Sequence, residues 1–123
     1  MEDLKKFNFA IAHVGINCED SVEAQKVAQA ICDIFGFECT EMAPSFFAGS
    51  AVEVMKRQAR GTKGHVGIAT DDILGSIDAL KARGYKFIED SIAYNPDGSM
   101  RLIYFEGEIG GFAFHLDQRR IEK

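Results

Sequence analysis

The four residues His13-Val14-Gly15-Ile16 recur as His65-Val66-Gly67-Ile68. A chain of 123 residues that repeats itself at about half its length is built from two copies of one unit, not from a solenoid array. The stretches downstream of the two copies also match. An acidic pair stands at the same offset in each, Glu19-Asp20 and Asp71-Asp72, each copy then enters a helical pattern, and each helix ends at a glycine and an aromatic, Gly36-Phe37 and Gly84-Tyr85. Four matching residues alone have little weight. Agreement in cap, helix and exit makes chance a poor explanation.

Each unit reads as a strand, a helix and further strands. Phe9, Ile11 and His13 alternate with Ala10, Ala12 and Val14, the period of a strand. Asp20 is a good N-cap, with Glu23 three residues on as its capping-box partner. Val27, Ile31, Ile34 and Phe35 mark the apolar face of the first helix, and Gly36 supplies a left-handed stop. Strands are expected over 37–42, 45–48 and 51–56, broken at Pro44. The polar, glycine-bearing stretch 57–64 reads as a linker. The second unit opens with a strand over 65–70. Asp72 caps its helix, which turns Ile73, Ile77, Leu80 and Ala82 inward. A strand over 85–94 comes next, then the strong turn Asn95-Pro96-Asp97-Gly98, which pairs it with 99–105. Gly110-Gly111 marks another turn, and Phe112 to Leu116 closes the unit with His115 facing away from Phe112, Phe114 and Leu116. The polar residues from Asp117 onward read as a fraying tail. The organisation is one α+β domain over 1–123, with module one at 7–56, the linker at 57–64 and module two at 65–117.

The charge balance of −5 gives no general attraction to nucleic acid or to an anionic membrane. The basic clusters, such as Lys5-Lys6 and Arg119-Arg120, are short and read as solvated faces. No apolar run approaches spanning length, and the polar start carries no signal-peptide core. Cys18, Cys32 and Cys39 are odd in number and form no CxxC pair, so they read as reduced cytosolic thiols. Cys32 belongs to a helix core. Cys18 stands just ahead of a helix start, where solvent can reach it, and no neighbour marks it as a nucleophile.

Two βαβββ modules carrying His13-Val14-Gly15-Ile16 and His65-Val66-Gly67-Ile68 resemble the vicinal-oxygen-chelate superfamily, which includes glyoxalase I, methylmalonyl-CoA epimerase, extradiol dioxygenases and fosfomycin-resistance proteins. The resemblance covers about residues 8–117. It implies a cupped, open, mixed sheet with a divalent metal held between the modules by residues on the first and last strand of each. Carried over, those positions are His13, Glu53 in Ala51-Val52-Glu53-Val54, His65, and His115 in Gly110-Gly111-Phe112-Ala113-Phe114-His115-Leu116. All three histidines of the chain therefore fall at expected ligand positions. The residues from Ile103 to Leu116, with Gly64 to Ile68, also resemble a glyoxalase-like domain sometimes fused behind bacterial keto-deoxy-sugar-acid aldolases, which implies a neighbourhood of sugar acids and 2-oxo acids.

Imidazoles and a carboxylate suit Zn²⁺, Ni²⁺, Co²⁺, Fe²⁺ or Mn²⁺. An ion so held leaves room for a substrate with two neighbouring oxygens, and a nearby base can then move a proton. Glyoxalase I has a glutamate at the last ligand position, where it doubles as base; here His115 stands there. A displaced His115 imidazole or Glu106 is then the candidate base. Arg101 and Tyr104 are candidates for substrate binding, with Arg101 suited to a carboxylate; surface pairing is the alternative. The expected function is a metal-dependent lyase or isomerase acting on a small vicinal-oxygen substrate. The alternative is a non-catalytic domain that binds or sequesters a small ligand. The cysteines and the polar start lead to an expected cytoplasmic location; the resemblance implies a homodimer, and leaves open whether the paired modules belong to one chain or two.

Overall fold

The computed structural model describes residues 3–119. After a single 3-10 turn (Leu4–Phe7), the chain runs through β1 (Ala10–Ile16), α1 (Ser21–Phe35), β2 (Cys39–Glu41), β3 (Ser45–Ala48), β4 (Val52–Met55), β5 (Gly64–Thr70), α2 (Ile73–Ala82), β6 (Phe87–Tyr94), β7 (Met100–Phe105) and β8 (Phe112–Gln118). The strands form one mixed, open sheet in the order β2-β3-β4-β1-β5-β8-β7-β6, the glyoxalase-like α+β architecture. Among the described residues no helix is long and apolar enough to cross a membrane.

The strand order reads the same from either edge once β1 to β4 are matched with β5 to β8. β1 pairs parallel with β4, as β5 does with β8. The seam between the halves is the antiparallel pair β1–β5, where Val14 sits opposite its own repeat counterpart, Val66. A local two-fold axis therefore runs through this pair, and the repeated tetrapeptide is the stretch that crosses it.

Both helix starts match the sequence. Asp20 accepts from the Glu23 N–H at 2.8 Å, and Glu23 reaches back to the Glu19 N–H at 3.1 Å. Asp72 accepts from the Gly75 N–H at 3.0 Å. Each such cap satisfies an N–H that the helix leaves unpaired. Gly36 ends α1 at φ 71°, the left-handed cap expected of it.

The buried face of α1 differs from the expected one. Ala24, Ala28 and Cys32 are buried, with Val27 and Ile31 packed beside them, whereas Ile34 and Phe35 are exposed. Small side chains at four-residue spacing let the helix lie close against Phe46 and Val54 of the sheet. Ile34 falls off that stripe, and Phe35 stacks on Phe37 at the surface. On α2 the buried set is Ile73, Ser76, Ile77, Ala79 and Leu80, and Ala82 faces solvent. Cys18 is also a correction. Only 2% exposed, it packs into the core under α1 with Ala24 and Phe46. The second core joins Ile73, Ile77 and Leu80 to Phe87, Ile103 and Leu116.

Asp117 and Gln118 belong to β8 instead of a tail: Asp117 pairs with Ala69 and Leu102, and Gln118 with Thr70. Polarity marks a surface or a site as readily as a loose end.

Truncating the two faces of the molecule should separate core from surface. Ile103→Ala is expected to cost about 2–5 kcal/mol by leaving a cavity. Ile34→Ala should change stability by about 0.5 kcal/mol or less. Urea unfolding midpoints of the two variants check both.

Candidate metal centre

The seam strands bring the histidines together through register alone. Cross-strand partners share a face, so two rows of side chains cross the middle of the sheet. One row runs His13, Gly67, His115, Tyr104. The other runs Phe47, Glu53, Gly15, His65. A bulge between Ile11 and His13 shifts the alternation, so Ile11 pairs with Ile68 on the other face while His13 joins the site.

The glycines of the repeat explain how so many rings fit. A Cβ on Gly15 would lie 2.0 Å from His65 Cε1, and one on Gly67 2.5 Å from His13 Cε1 and 2.8 Å from His115 Cε1. Each module's histidine thus lies over the other module's glycine. The parallel pairings extend the symmetry: Glu53 sits opposite Gly15 as His115 sits opposite Gly67, so Glu53 and His115 are equivalent positions.

Four donor atoms converge within one chain. His13 Nε2 lies 3.2 Å from His65 Nε2 and 3.3 Å from His115 Nε2. Glu53 Oε1 lies 3.1 Å from His65 Nε2 and 3.6 Å from His13 Nε2. Ligand atoms of the three histidines all fall within 4.8 Å of one another, close enough to hold an ion. Two nitrogens bound to one Zn-like ion at ~2.0–2.1 Å stand about 2.9 to 3.4 Å apart, from octahedral to tetrahedral angles, and the nitrogen spacings from His13 match. The donor set itself, three imidazoles and a carboxylate, suits a borderline divalent cation.

Around these atoms lies a supporting set that the sequence reading missed. Ser45, fully buried, donates to Glu53 Oε2 at 2.8 Å. Asp117 Oδ1 stands 3.1 Å from His115 Nδ1, and its Oδ2 3.7 Å from His13 Nδ1. These are charge contacts without hydrogen-bond alignment, since His115 Nδ1, like His65 Nδ1, is buried with no hydrogen-bond partner among the described residues. A carboxylate behind a ligand histidine fixes its ring and raises its basicity. The available signal was spacing: Asp117 is two positions past His115 on one strand, hence on the same face.

Burial disfavours the charged His13 ring, and His115 beside it adds to the effect, so its pKa is lowered even though Asp117 and Glu53 pull the other way. Burial pushes the Glu53 carboxyl up, but hydrogen bonds from His65 and Ser45 outweigh it, and the net shift is downward. Both shifts favour the forms that a cation needs, neutral imidazole and ionised carboxylate. Tyr104 packs against His115 with ring centroids 4.7 Å apart. Its hydroxyl is pushed up to about 12 by burial, with the Arg60 guanidinium opposing, so it stays a proton-bearing donor.

The donors line a pocket of about 600 Å³ walled by Met42, Phe47, Met55 and Leu102, with Arg101, Tyr104, Asp117 and Gln118 at its other side. Of the expected substrate residues, Tyr104 lies beside the histidines. Arg101 alternates onto the opposite face but sits at the strand end, where it borders this pocket and a neighbouring groove. Glu106 is not brought to the histidines. β7 stops at Phe105, so the alternation that would carry Glu106 onto the face of Tyr104 ends one residue short, and Glu106 lies exposed beside an apolar groove with Phe105 and Tyr85.

No protein-family model and no curated protein matches the sequence. Solved structures do resemble the fold. A methylmalonyl-CoA epimerase is 20% identical with a TM-score of 0.65, covering 98% of this chain and 100% of its own. The hypothetical protein BH1468 from Bacillus halodurans is 15% identical with a TM-score of 0.65, covering 94% and 97%. A Streptomyces coelicolor methylmalonyl-CoA epimerase variant in complex with 2-nitronate-propionyl-CoA is 16% identical with a TM-score of 0.63, covering 90% and 97%. The chain has the glyoxalase-like fold. At these identities the likeness concerns the fold, with both modules present along nearly the full length of each neighbour.

Two measurements test the centre. Gly15→Ala forces the His65 ring aside and should cost about 1–3 kcal/mol by overpacking, read from the unfolding midpoint. Acid should also weaken the metal-stripped protein. With the folded His13 lowered from 6.5, the unfolded chain binds more protons once pH drops below about 6.5, so stability falls as pH falls. Glu53, also lowered, adds loss of the same sign below its ordinary 4.5. The melting temperature should decline between about pH 7.5 and 5.5, and His13→Ala should flatten that decline.

Proposed function

We propose that this protein is a metal-dependent isomerase or lyase acting on a small substrate with two neighbouring oxygens, such as a 2-oxo acid or a sugar acid. The convergence of His13, His65, His115 and Glu53 on the floor of an open pocket carries this reading. These four residues would hold the divalent ion, one of Zn²⁺, Ni²⁺, Co²⁺, Fe²⁺ or Mn²⁺. The bound ion supplies Lewis-acid polarisation of substrate oxygens.

The chain's own residues do the rest. Met42, Phe47, Met55 and Leu102 wall the pocket and keep water from one side of a bound substrate. Ser45 holds the Glu53 carboxylate in place, and Tyr104 offers a hydroxyl proton to a substrate oxygen. His115 keeps Nε2 toward the ion, so proton transfer falls to Asp117, the one carboxylate lining this pocket besides Glu53 among the described residues. Its Oδ atoms accept the proton from a carbon next to a carbonyl and return it. Structural neighbours named as epimerases support a proton-transfer chemistry. A homodimer, implied by the resemblance, and a cytoplasmic location, suggested by the cysteines, belong to the same proposal.

The placement of Glu106 outside the pocket favours a second reading, a non-catalytic domain that sequesters a small oxygen-rich ligand on the same metal. Exchange chemistry separates the two.

Elemental analysis of tag-free protein should give about one equivalent of divalent metal, lost in the His13→Ala/His115→Ala double variant. Metal-loaded protein in D₂O should then exchange the C3 protons of 2-oxobutyrate, tracked by NMR, and Asp117→Asn should slow exchange about 100-fold or more with metal content kept. Failure to take up any of the five ions would sink both readings. Metal without exchange on any 2-oxo acid or sugar acid leaves the sequestering domain.

A further inference from the structure

The stretch between β4 and β5 is not a slack connection. Asn17, at the end of β1, donates from Nδ2 to the Gly61 carbonyl at 2.8 Å and the Ala59 carbonyl at 3.3 Å, and its Oδ1 accepts from the Ala59 N–H at 3.2 Å. Gly61, at φ 88°, lies so close to the Gly64 carbonyl and the Ala113 N–H that no Cβ fits. Both neighbours of Arg60 are therefore clamped. Its guanidinium rests over the Tyr104 ring, 5.0 Å from the centroid, and Tyr104 in turn packs on His115 at 4.7 Å and on His65 at 6.4 Å.

Arg101 borders the pocket from the face of β7 opposite Tyr104, and two other cations are committed. Lys56 binds Glu41 and the Met42 carbonyl, and Arg119 pairs with Asp71. Arg60 has no carboxylate partner among the described residues, although Glu53 and Asp117 make the middle of the pocket acidic. A stacked guanidinium keeps its N–H edge free for a planar anion. Arg60 is exposed and does not itself line the pocket, but the Tyr104 ring it covers does, so its guanidinium stands one aromatic ring outside the histidine cluster, where the far end of a ligand whose near end meets the histidines can reach it.

We propose that Arg60, fixed by Asn17 and stacked on Tyr104, recognises a second carboxylate on the substrate, so that the pocket takes small 2-oxo diacids in preference to monoacids. This rests on the metal-centred reading above and narrows its substrate class. One guanidinium matches the single charge of a carboxylate and its two parallel oxygens.

Calorimetry on metal-loaded protein tests it with two probes, 2-oxoglutarate and 2-oxobutyrate, which share the 2-oxo acid head and differ in the distal carboxylate. Native protein should bind 2-oxoglutarate about tenfold or more tightly than 2-oxobutyrate. Arg60→Ala should erase that preference while keeping metal content and 2-oxobutyrate affinity. Arg60→Lys should restore only part of it, because an ammonium lacks the fork. No preference in the native protein, or a preference that survives Arg60→Ala, overturns the assignment even where metal binds normally. Absence of metal from the native protein overturns the metal-centred reading, and this proposal with it.

Discussion

The antiparallel pairing of β1 with β5 is the interaction on which the rest depends. It joins the two modules through backbone hydrogen bonds, and its register, centred on Val14 and Val66, sets each histidine over the opposite glycine. A slip of one residue would turn every side chain on one strand to the other face. Such a slip would separate His13 from His65 and put an imidazole where α1 and α2 need apolar surface. The same two glycines that permit the pairing also penalise alternatives, because a ring over any residue with a Cβ collides with it. Register, packing and site are therefore one constraint seen at three scales.

That constraint also explains which features were legible in the sequence. The duplicated tetrapeptide is the seam, so the feature easiest to read was also the one that locates the histidines. Glu53 was placed by the resemblance and Tyr104 by its position on the hairpin strand, and the structure brings both beside the histidines. Where the period fails, reading failed with it. Glu106 lies one residue past the end of β7, and a strand end is set by partners that a linear pattern does not display. Asp117 was hidden by its polarity, which suggested a tail, although its spacing from His115 carried the correct message. The α1 face was misjudged because large apolar residues draw attention. Close helix-to-sheet contact instead selected Ala24 and Ala28, with Cys32 buried on the same stripe, and left Ile34 outside. Arg60 sat within an expected linker, and the role proposed for it depends on Asn17, which is distant in sequence and near in space to the residue after Arg60.

The site illustrates how a fold can concentrate cost in one place. Three imidazoles and two carboxylates share a small volume, two buried ring nitrogens lack hydrogen-bond partners, and burial opposes charge on His13. The unpartnered nitrogens and the penalty on His13 do not help the chain to fold. The separate apolar cores beneath α1 and α2 offset it, and they lie on the face of the sheet away from the pocket. That division lets side chains in the pocket answer to chemistry while those behind the sheet answer to stability.

The local two-fold axis has one further consequence. Perfect symmetry would give any molecule entering along the axis two orientations of equal energy, related by half a turn. Glu53 and His115 occupy equivalent positions but differ in charge, and Arg60 and Tyr104 stand on one side only. The duplicated frame is thereby given a front and a back, and a guest held there has one preferred way round. For a reaction at a carbon with four different substituents, that built-in direction separates handling one mirror form from handling both without distinction.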